Sequence, residues 1–386
     1  MSSIKRVGMF LYNEFPQDER VRREALFLTR HGHKVSVFAI KINPKEKTRD
    51  VFHGITIYRI FTLPNLKTGV RAKYLIFFWI SCIMFINKNK LLFDVIHCHD
   101  LTTLPAGVFM KIINSLKLVY DSHEFFPEAA SKKMGFIYGV ICLTVERTLI
   151  RFSDRIIGVS IPQAIIMKKR YSLNNFLIIR NTPMLDRPYP STIKGKRLLE
   201  LNKKKINIVN AGSLIPDRGH YVLLSAIEKL RQKYDDFHVY ILGRGPLLPV
   251  LKEEIKERKI EAFVTVKGHV PPQYYFDFLS QFDIGLSLYQ DTFNNRYSQP
   301  NTLYDYMLAG LAIIFPCYPG NYEGLREVGA IKVEPAIERT VIEAIEHFLK
   351  DKNRLKHQKR ISRERFEKKF NWENINTGLI TLYRDL

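Results

Sequence analysis

Residues 206–230 read INIVNAGSLIPDRGHYVLLSAIEKL, and this stretch decides the fold class. Its first five residues make a short apolar, β-prone run. A glycine-bearing turn follows at Gly212, and Arg218 stands close to the start of a helical pattern. A strand, a glycine turn and a helix in that order are the unit from which parallel α/β sheets are built, and the turn offers an anion the free N–H groups of a helix start. Outward from this unit the same alternation runs to both ends of the chain. In the first half the strand candidates are 7–12, 34–40, 55–60, 94–98, 118–121, 155–159 and 176–179. In the second they are 206–210, 238–242, 263–267, 284–288, 312–315 and 331–333. The first helix is well marked: Asp18 caps it, Val21, Ala25 and Leu28 form its apolar face, and Gly32 closes it.

Over residues 187–205, RPYPSTIKGKRLLELNKKK, the pattern stops in a Pro-, Ser- and Lys-rich linker. With 386 residues, and single cores ceasing to grow at roughly 250–300 residues, two domains are expected: 1–187 and 188–370. A last helix over 371–386 carries Trp372, Ile375, Leu379, Ile380 and Tyr383 as an apolar stripe that packs back on the first domain.

Composition narrows the function. Sixty Lys and Arg against 38 Asp and Glu give a net charge of +22, on an ordinary globular background of 46% hydrophobic residues. Such a charge calls for an anionic partner. No nucleic-acid motif occurs and the basic residues are spread over both halves, which weighs against a nucleic acid or scaffold role. The local excess at 350–369, ten basic residues against three acidic, reads as the solvated face of a helix. Cys82, Cys98, Cys142 and Cys317 show no C-x-x-C pairing and read as reduced, buried thiols. No secretory signal pattern precedes the first strand, so a cytoplasmic address is expected. Residues 74–86, YLIFFWISCIMFI, are apolar almost all round but too short to span a bilayer, which needs about 20 residues. The favoured reading buries this helix between the sheet and its neighbours. The other docks it in the lipid interface at the inner face of the cytoplasmic membrane, helped by Lys67, Arg71, Lys73, Lys88 and Lys90.

In open parallel sheets ligands bind at the carboxyl ends of the strands. The residues found there are His99 and Asp100, His123 and Glu124, the Gly212–Ser213 turn with Arg218, and the turn holding Arg244. His97 and His99 are expected to divide, one inside the fold and His99 at the site. Residues 298–310, SQPNTLYDYMLAG, place Pro300 ahead of a helix whose first N–H groups, at Asn301, Thr302 and Leu303, can receive a diphosphate; Asp305 lies one turn deeper at hydroxyl-binding reach.

At this point the chain resembles the family 4 retaining glycosyltransferases of the GT-B fold. The resemblance rests on QDERVRREALFLTRHGHKVSVF, HCHDLTTLPAG, YDSHEFFPE, ERTLIRFSDRIIGVS, AGSLIPDRGHYVLLSAIEKL, YILGRGP, GHV and PNTLYDYMLAG, in that order. It implies two Rossmann-like, doubly wound domains facing across a cleft, the first for the acceptor and the second for a nucleotide-diphosphate sugar. It implies that His123 touches the donor sugar, that Arg218 neutralises the diphosphate, that Gly268, His269 and Val270 grip the base, and that Asp305 holds the ribose hydroxyls. The chain departs from the family pattern where Tyr297 replaces the first Glu of its E-x7-E motif and Ser213 replaces a second arginine.

The expected reaction is transfer of a hexose to a hydroxyl of a saccharide or lipid-linked acceptor, with retention, in envelope polysaccharide or glycoconjugate assembly. The acceptor is expected near Asn13, Asp18, His99 and Asp100. The chain contains no D-x-D pair, so no metal and no cofactor beyond the sugar nucleotide is expected. A nucleotide-sugar 2-epimerase of the same fold is the rival enzymatic reading.

Overall fold

The computed structural model describes residues 4–63, 72–185 and 201–386. Lys67, Arg71 and the expected boundary at 187/188 lie outside the described residues. The chain forms two compact units, Met1–Arg180 with Asn376–Leu386, and Asn181–Ile375.

The strands of the first unit are β1 (Arg6–Phe10), β2 (Lys34–Lys41), β3 (Arg49–Phe52), β4 (Ile55–Thr62), β5 (Val95–His99), β6 (Lys117–Ser122), β7 (Arg155–Gly158) and β8 (Phe176–Ile178). They form one sheet in the order β3-β4-β2-β1-β5-β6-β7-β8. Its helices are α1 (Glu19–Arg30), α2 (Leu75–Lys88), α3 (Leu104–Asn114), α4 (Phe126–Met134), α5 (Phe136–Leu149) and α6 (Ile161–Tyr171). β1 pairs in parallel with β2 on one side and β5 on the other, so the strand order reverses between β1 and β5. That reversal opens a crevice beyond the carboxyl ends of these strands. All five residues of β5 are buried, as befits a parallel strand covered on both faces.

The second unit carries β9 (Ile206–Ala211), β10 (Phe237–Leu242), β11 (Val264–Gly268), β12 (Ile284–Leu286), β13 (Ala312–Pro316) and β14 (Ile331–Val333). Its sheet runs β11-β10-β9-β12-β13-β14 with every pairing parallel. The reversal falls between β9 and β12. Its main helices are α7 (His220–Leu230), α8 (Leu248–Glu257), α9 (Pro272–Leu279), α10 (Phe293–Tyr297), α11 (Asn301–Ala309), α12 (Tyr322–Glu327), α13 (Glu338–Lys350) and α14 (Lys352–Arg365). Basic α14 buries Leu355, Gln358 and Ser362 and turns most of its charged residues to solvent, where Arg360 pairs with Glu364 and Arg363 with Glu367.

Three elements differ from expectation. β3 was not anticipated, because RDVF carries too little apolar pattern to read as a strand. It runs antiparallel to β4 through a two-residue turn at His53 and Gly54, both with positive φ, the geometry of a tight hairpin. The expected last helix is broken into Trp372–Ile375, in the second unit, and Gly378–Arg384, in the first. Between them the fully buried Asn376 accepts from Arg180 N at 2.8 Å and donates to Arg180 O at 3.1 Å, which holds the backbone out of a helix. Finally, α2 is not enclosed. It buries Phe78, Cys82 and Ile86 but leaves Ile76, Phe77, Ile80 and Met84 exposed. Only one stripe of the helix meets the protein, because α2 lies on the outside of a single sheet. Among the described residues no helix is long and apolar enough to cross a membrane.

Candidate functional site

In the first unit the chemistry gathers where β5 and β6 end. Asp121, fully buried, is the hub. Arg20 reaches it from α1 with two hydrogen bonds, Nε to Oδ2 at 2.8 Å and Nη2 to Oδ1 at 2.6 Å. His123 Nε2 lies 2.8 Å from Oδ2 of the same carboxylate, and His99 Nδ1 lies 3.2 Å from that oxygen. On its other side His123 Nδ1 stands 3.2 Å from Asp100 Oδ2, while the His123 N–H donates to Asp100 Oδ1 at 3.1 Å. His123 is thus clamped between two carboxylates, with its side chain 18% exposed at the rim.

These contacts set the charges. Burial disfavours the imidazolium, yet Asp100 and Asp121 together raise the His123 pKa well above the ordinary histidine value. Burial works against the Asp121 carboxylate too, but Arg20 and His123 hold its pKa well below the usual range. Glu24, on the next turn of α1 and 3.2 Å from Arg20 Nε, is pushed up to about 8 by burial and by Asp121. The site therefore presents a cationic imidazole, fixed in orientation, at the rim of the crevice.

His123 should stay protonated through neutral pH. Its imidazole signals in a two-dimensional NMR titration are expected to hold still from pH 5 to 8, a span that covers the free histidine value of about 6.5. Asp100→Asn should bring its transition down into that range. A wild-type transition near the free value would refute the clamp. For stability the signs follow from the same shifts. His123 contributes fully below about pH 6.5 and its contribution is lost as pH rises through the raised folded value; Asp121 contributes fully above about pH 3.9 and its contribution is lost as pH falls through the depressed one.

The structure places the other first-unit candidates as follows. His97 and His99 do not divide: both are buried, with rings stacked 4.4 Å apart, because residues two apart on a strand share a face. His99 is 1% exposed and meets Asp121 inside the fold, not a ligand at the surface. His97 Nδ1 bonds Tyr383 OH at 2.8 Å. Asp18 caps α1 by accepting from Val21 N at 3.2 Å, and its other oxygen takes a hydrogen bond from Asn13 Nδ2 at 3.0 Å, so this pair sits together beside the helix start.

Glu24, His97, His99 and Asp121 bring possible metal-ligating atoms within 4.8 Å of one another. The cluster does not suit a cation, because the Arg20 guanidinium already holds both oxygens of Asp121 and lies against Glu24.

In the second unit the loops after β9, β10 and β11 are laced together. Gly212 N donates to Leu242 O at 2.9 Å, Leu214 N to Arg244 O at 2.8 Å, and Gly243 N to Gly268 O at 2.9 Å. A Cβ on Gly243 would fall 1.7 Å from Gly212 O, so glycine is obligatory there. Ser213 is exposed on this ledge, as is Arg244. His269 stands at the end of β11 with its pKa lowered by burial and nearby Arg244, while Val270 turns inward and joins the core.

Arg218 lies flat over the Tyr289 ring, 3.7 Å from its centroid. Its Nε and Nη1 are buried without a hydrogen-bond partner among the described residues. Tyr289 OH in turn pairs with Thr302 Oγ1 at 3.0 Å, which brings the guanidinium platform to the first turn of α11. The N-cap residue Pro300 makes no side-chain cap to α11, whose first residues are Asn301, Thr302 and Leu303. Asp305 is 9% exposed on the next turn of the same helix. Tyr297, in place of a carboxylate, is half-buried and packs against Phe293. A stacked arginine with unsatisfied donors next to an uncapped helix start is a strong anion receptor.

Sequence reading missed Arg20, Glu24, Tyr289 and Tyr383. Tyr289 was within reach, since it directly follows an expected strand. Arg20 and Glu24 flank the apolar stripe of α1 at helical spacing and read as surface charges. Tyr383 was read only as part of the apolar stripe of the last helix; its pairing with His97, 286 residues away, has no sequence signal.

Comparisons with known proteins bear on both units. The family described as Glycosyltransferase Family 4 matches residues 19–181, and that described as Glycosyl transferases group 1 matches residues 205–351. The GPI3 subunit of phosphatidylinositol N-acetylglucosaminyltransferase from Saccharomyces cerevisiae is 23% identical over 260 residues, covering 66% of this chain and 55% of that protein. An uncharacterized glycosyltransferase of Bacillus subtilis, YqgM, is 28% identical over 210 residues, 52% of this chain and 50% of that protein. The chain spans about half the length of the curated relatives it matches. Among solved structures, sucrose-phosphate synthase from Thermosynechococcus elongatus has a TM-score of 0.79 at 15% identity, covering 99% of this chain and 98% of that one. HepE from Anabaena, solved with UDP and glucose, has a TM-score of 0.70 at 16% identity, covering 99% of this chain and 100% of that one. At such identities these structures speak to the fold. Two mainly parallel sheets of the expected kind and two family matches that together take in both units lead to one assignment: the chain belongs to the family 4 glycosyltransferases of the GT-B fold.

Proposed function

We propose that this enzyme moves a hexose from a nucleotide-diphosphate sugar to a hydroxyl of a saccharide or lipid-linked acceptor, with retention of anomeric configuration, in cell-envelope polysaccharide or glycoconjugate assembly. The observation that carries the reading is Arg218, stacked on Tyr289 with Nε and Nη1 buried and unbonded beside the uncapped start of α11. A departing diphosphate needs fixed positive charge, and this arrangement supplies it from the protein alone. Asp305, one turn further along, is assigned to the ribose hydroxyls, and the Gly268–Val270 turn to the base. His123 is assigned to the donor sugar, where its held positive charge would face the oxygens of the reacting ring. Asn13, Asp18 and Asp100 are assigned to the acceptor. UDP and HepE, and ADP and starch synthase IV, are seen together in structures of similar fold.

The test is a thermal-shift screen followed by turnover. UDP or GDP should raise the melting temperature where the matching monophosphate does so little, since a ligand bound only by the native state stabilises it. Labelled sugar nucleotide should then lose its sugar to an acceptor with the anomeric configuration kept, and EDTA should leave the rate unchanged. Interconversion of the free sugar nucleotide without transfer would instead establish an epimerase and overturn the reading.

A further inference from the structure

We infer that the outer face of helices α2, α3 and α5 docks on an anionic lipid bilayer. The helices share one side of the first sheet: the crossovers from β5 to β6 and from β6 to β7 step in the same direction, and right-handed connections then place α3 and α5 on the same face. α2 packs on α3, and α3 on α5. Each helix turns large apolar side chains to solvent. Ile80 and Met84 on α2, Phe109 and Ile112 on α3, and Phe136 and Ile137 on α5 are between 47% and 77% exposed. Soluble proteins rarely leave a contiguous apolar surface of this kind uncovered.

Charge chooses the occupant. From residue 72 to residue 151 every exposed charged side chain is Lys or Arg, including Lys73, Lys88 and Lys90 at the two ends of α2 and Lys132 and Lys133 in the last turn of α4, which leads into α5. The six acidic residues of the same stretch, from Asp94 to Glu146, are all buried or half-buried. A second copy of the chain docking through the same face would set lysine against lysine around the rim, which a two-fold interface cannot relieve. An anionic headgroup layer over acyl chains complements both parts, apolar centre and basic edge. The helices would lie in the interface plane, since none is long enough to cross. This inference stands on exposure and charge and does not depend on the sugar-transfer reading.

The experiment is flotation of the full chain with phosphatidylcholine vesicles, with and without phosphatidylglycerol, at low and high salt. Wild type is expected to bind the phosphatidylglycerol vesicles at least about tenfold more tightly, with salt weakening the difference. The apolar double variant Ile80→Asp/Ile137→Asp and the charge double variant Lys132→Glu/Lys133→Glu should each lose about tenfold in vesicle binding while keeping the wild-type melting temperature. Equal binding to both vesicle types, or variants that bind as wild type, would overturn the inference. So would a dimer in sedimentation velocity that Ile80→Asp/Ile137→Asp dissolves, since the face would then belong to a second copy.

Discussion

Arg218→Ala is expected to lower transfer from a sugar nucleotide by about 10²–10³-fold, the scale seen when one preorganised donor to a developing anion is removed. The side chain has no other employment: its face is spent on the Tyr289 ring, and its Nε and Nη1 have no partner among the described residues. A guanidinium held this way is oriented before the ligand arrives, so little reorganisation is needed when charge builds on the departing phosphate. Because Arg218 pairs with no carboxylate among the described residues, the variant should keep its melting temperature. The thermal shift given by UDP or GDP should shrink. Arg218→Lys should recover only part of the activity, since an ammonium cannot stack on the tyrosine or present two donors in one plane. Near wild-type turnover in Arg218→Ala would remove the diphosphate from this position.

The second large effect is structural. Asp121→Asn should destabilise the protein by about 3–5 kcal/mol, because it puts a neutral amide in place of the carboxylate that takes two hydrogen bonds from the buried Arg20 guanidinium and leaves only the longer contact to Glu24. In a domain of this size that is a fall of about 10 °C in the first thermal transition. His123 should at the same time lose one of its two carboxylates and titrate lower. Adding Arg20→Met to Asp121→Asn should restore part of the loss, since removing both charges is less costly than orphaning one. A single variant as stable as wild type would mean that solvent reaches this cluster.

Much of the architecture was legible because parallel α/β folds write their strands as apolar runs of fixed length. INIVN and VIHCH could scarcely be anything else, and the turn residues after them gave the candidate ligands. His123 and Arg218 were found by that rule. What escaped reading depends on distance along the chain. The clamp on His123 needs Asp100, Asp121 and Arg20 to converge from three elements, and no local pattern says that Arg20 points inward with a carboxylate waiting. The burial of His99 was missed for a simpler reason: side chains two apart on a strand fall on the same side. The exposure of α2 could not be settled from its residues, since a helix apolar all round looks the same whether protein or lipid covers it.

Asn376 has a consequence for how the chain could be rearranged. The backbone leaves the first unit at Arg180 and returns at Asn376, and these two residues are joined to each other by paired hydrogen bonds. On the other side Trp372 N donates to Pro183 O at 2.9 Å. The second unit is therefore an insertion with adjacent ends, threaded into a first unit whose own chain is otherwise continuous in space. Such an insert can be excised and its flanks joined by a short turn, or exchanged for another with the same end spacing.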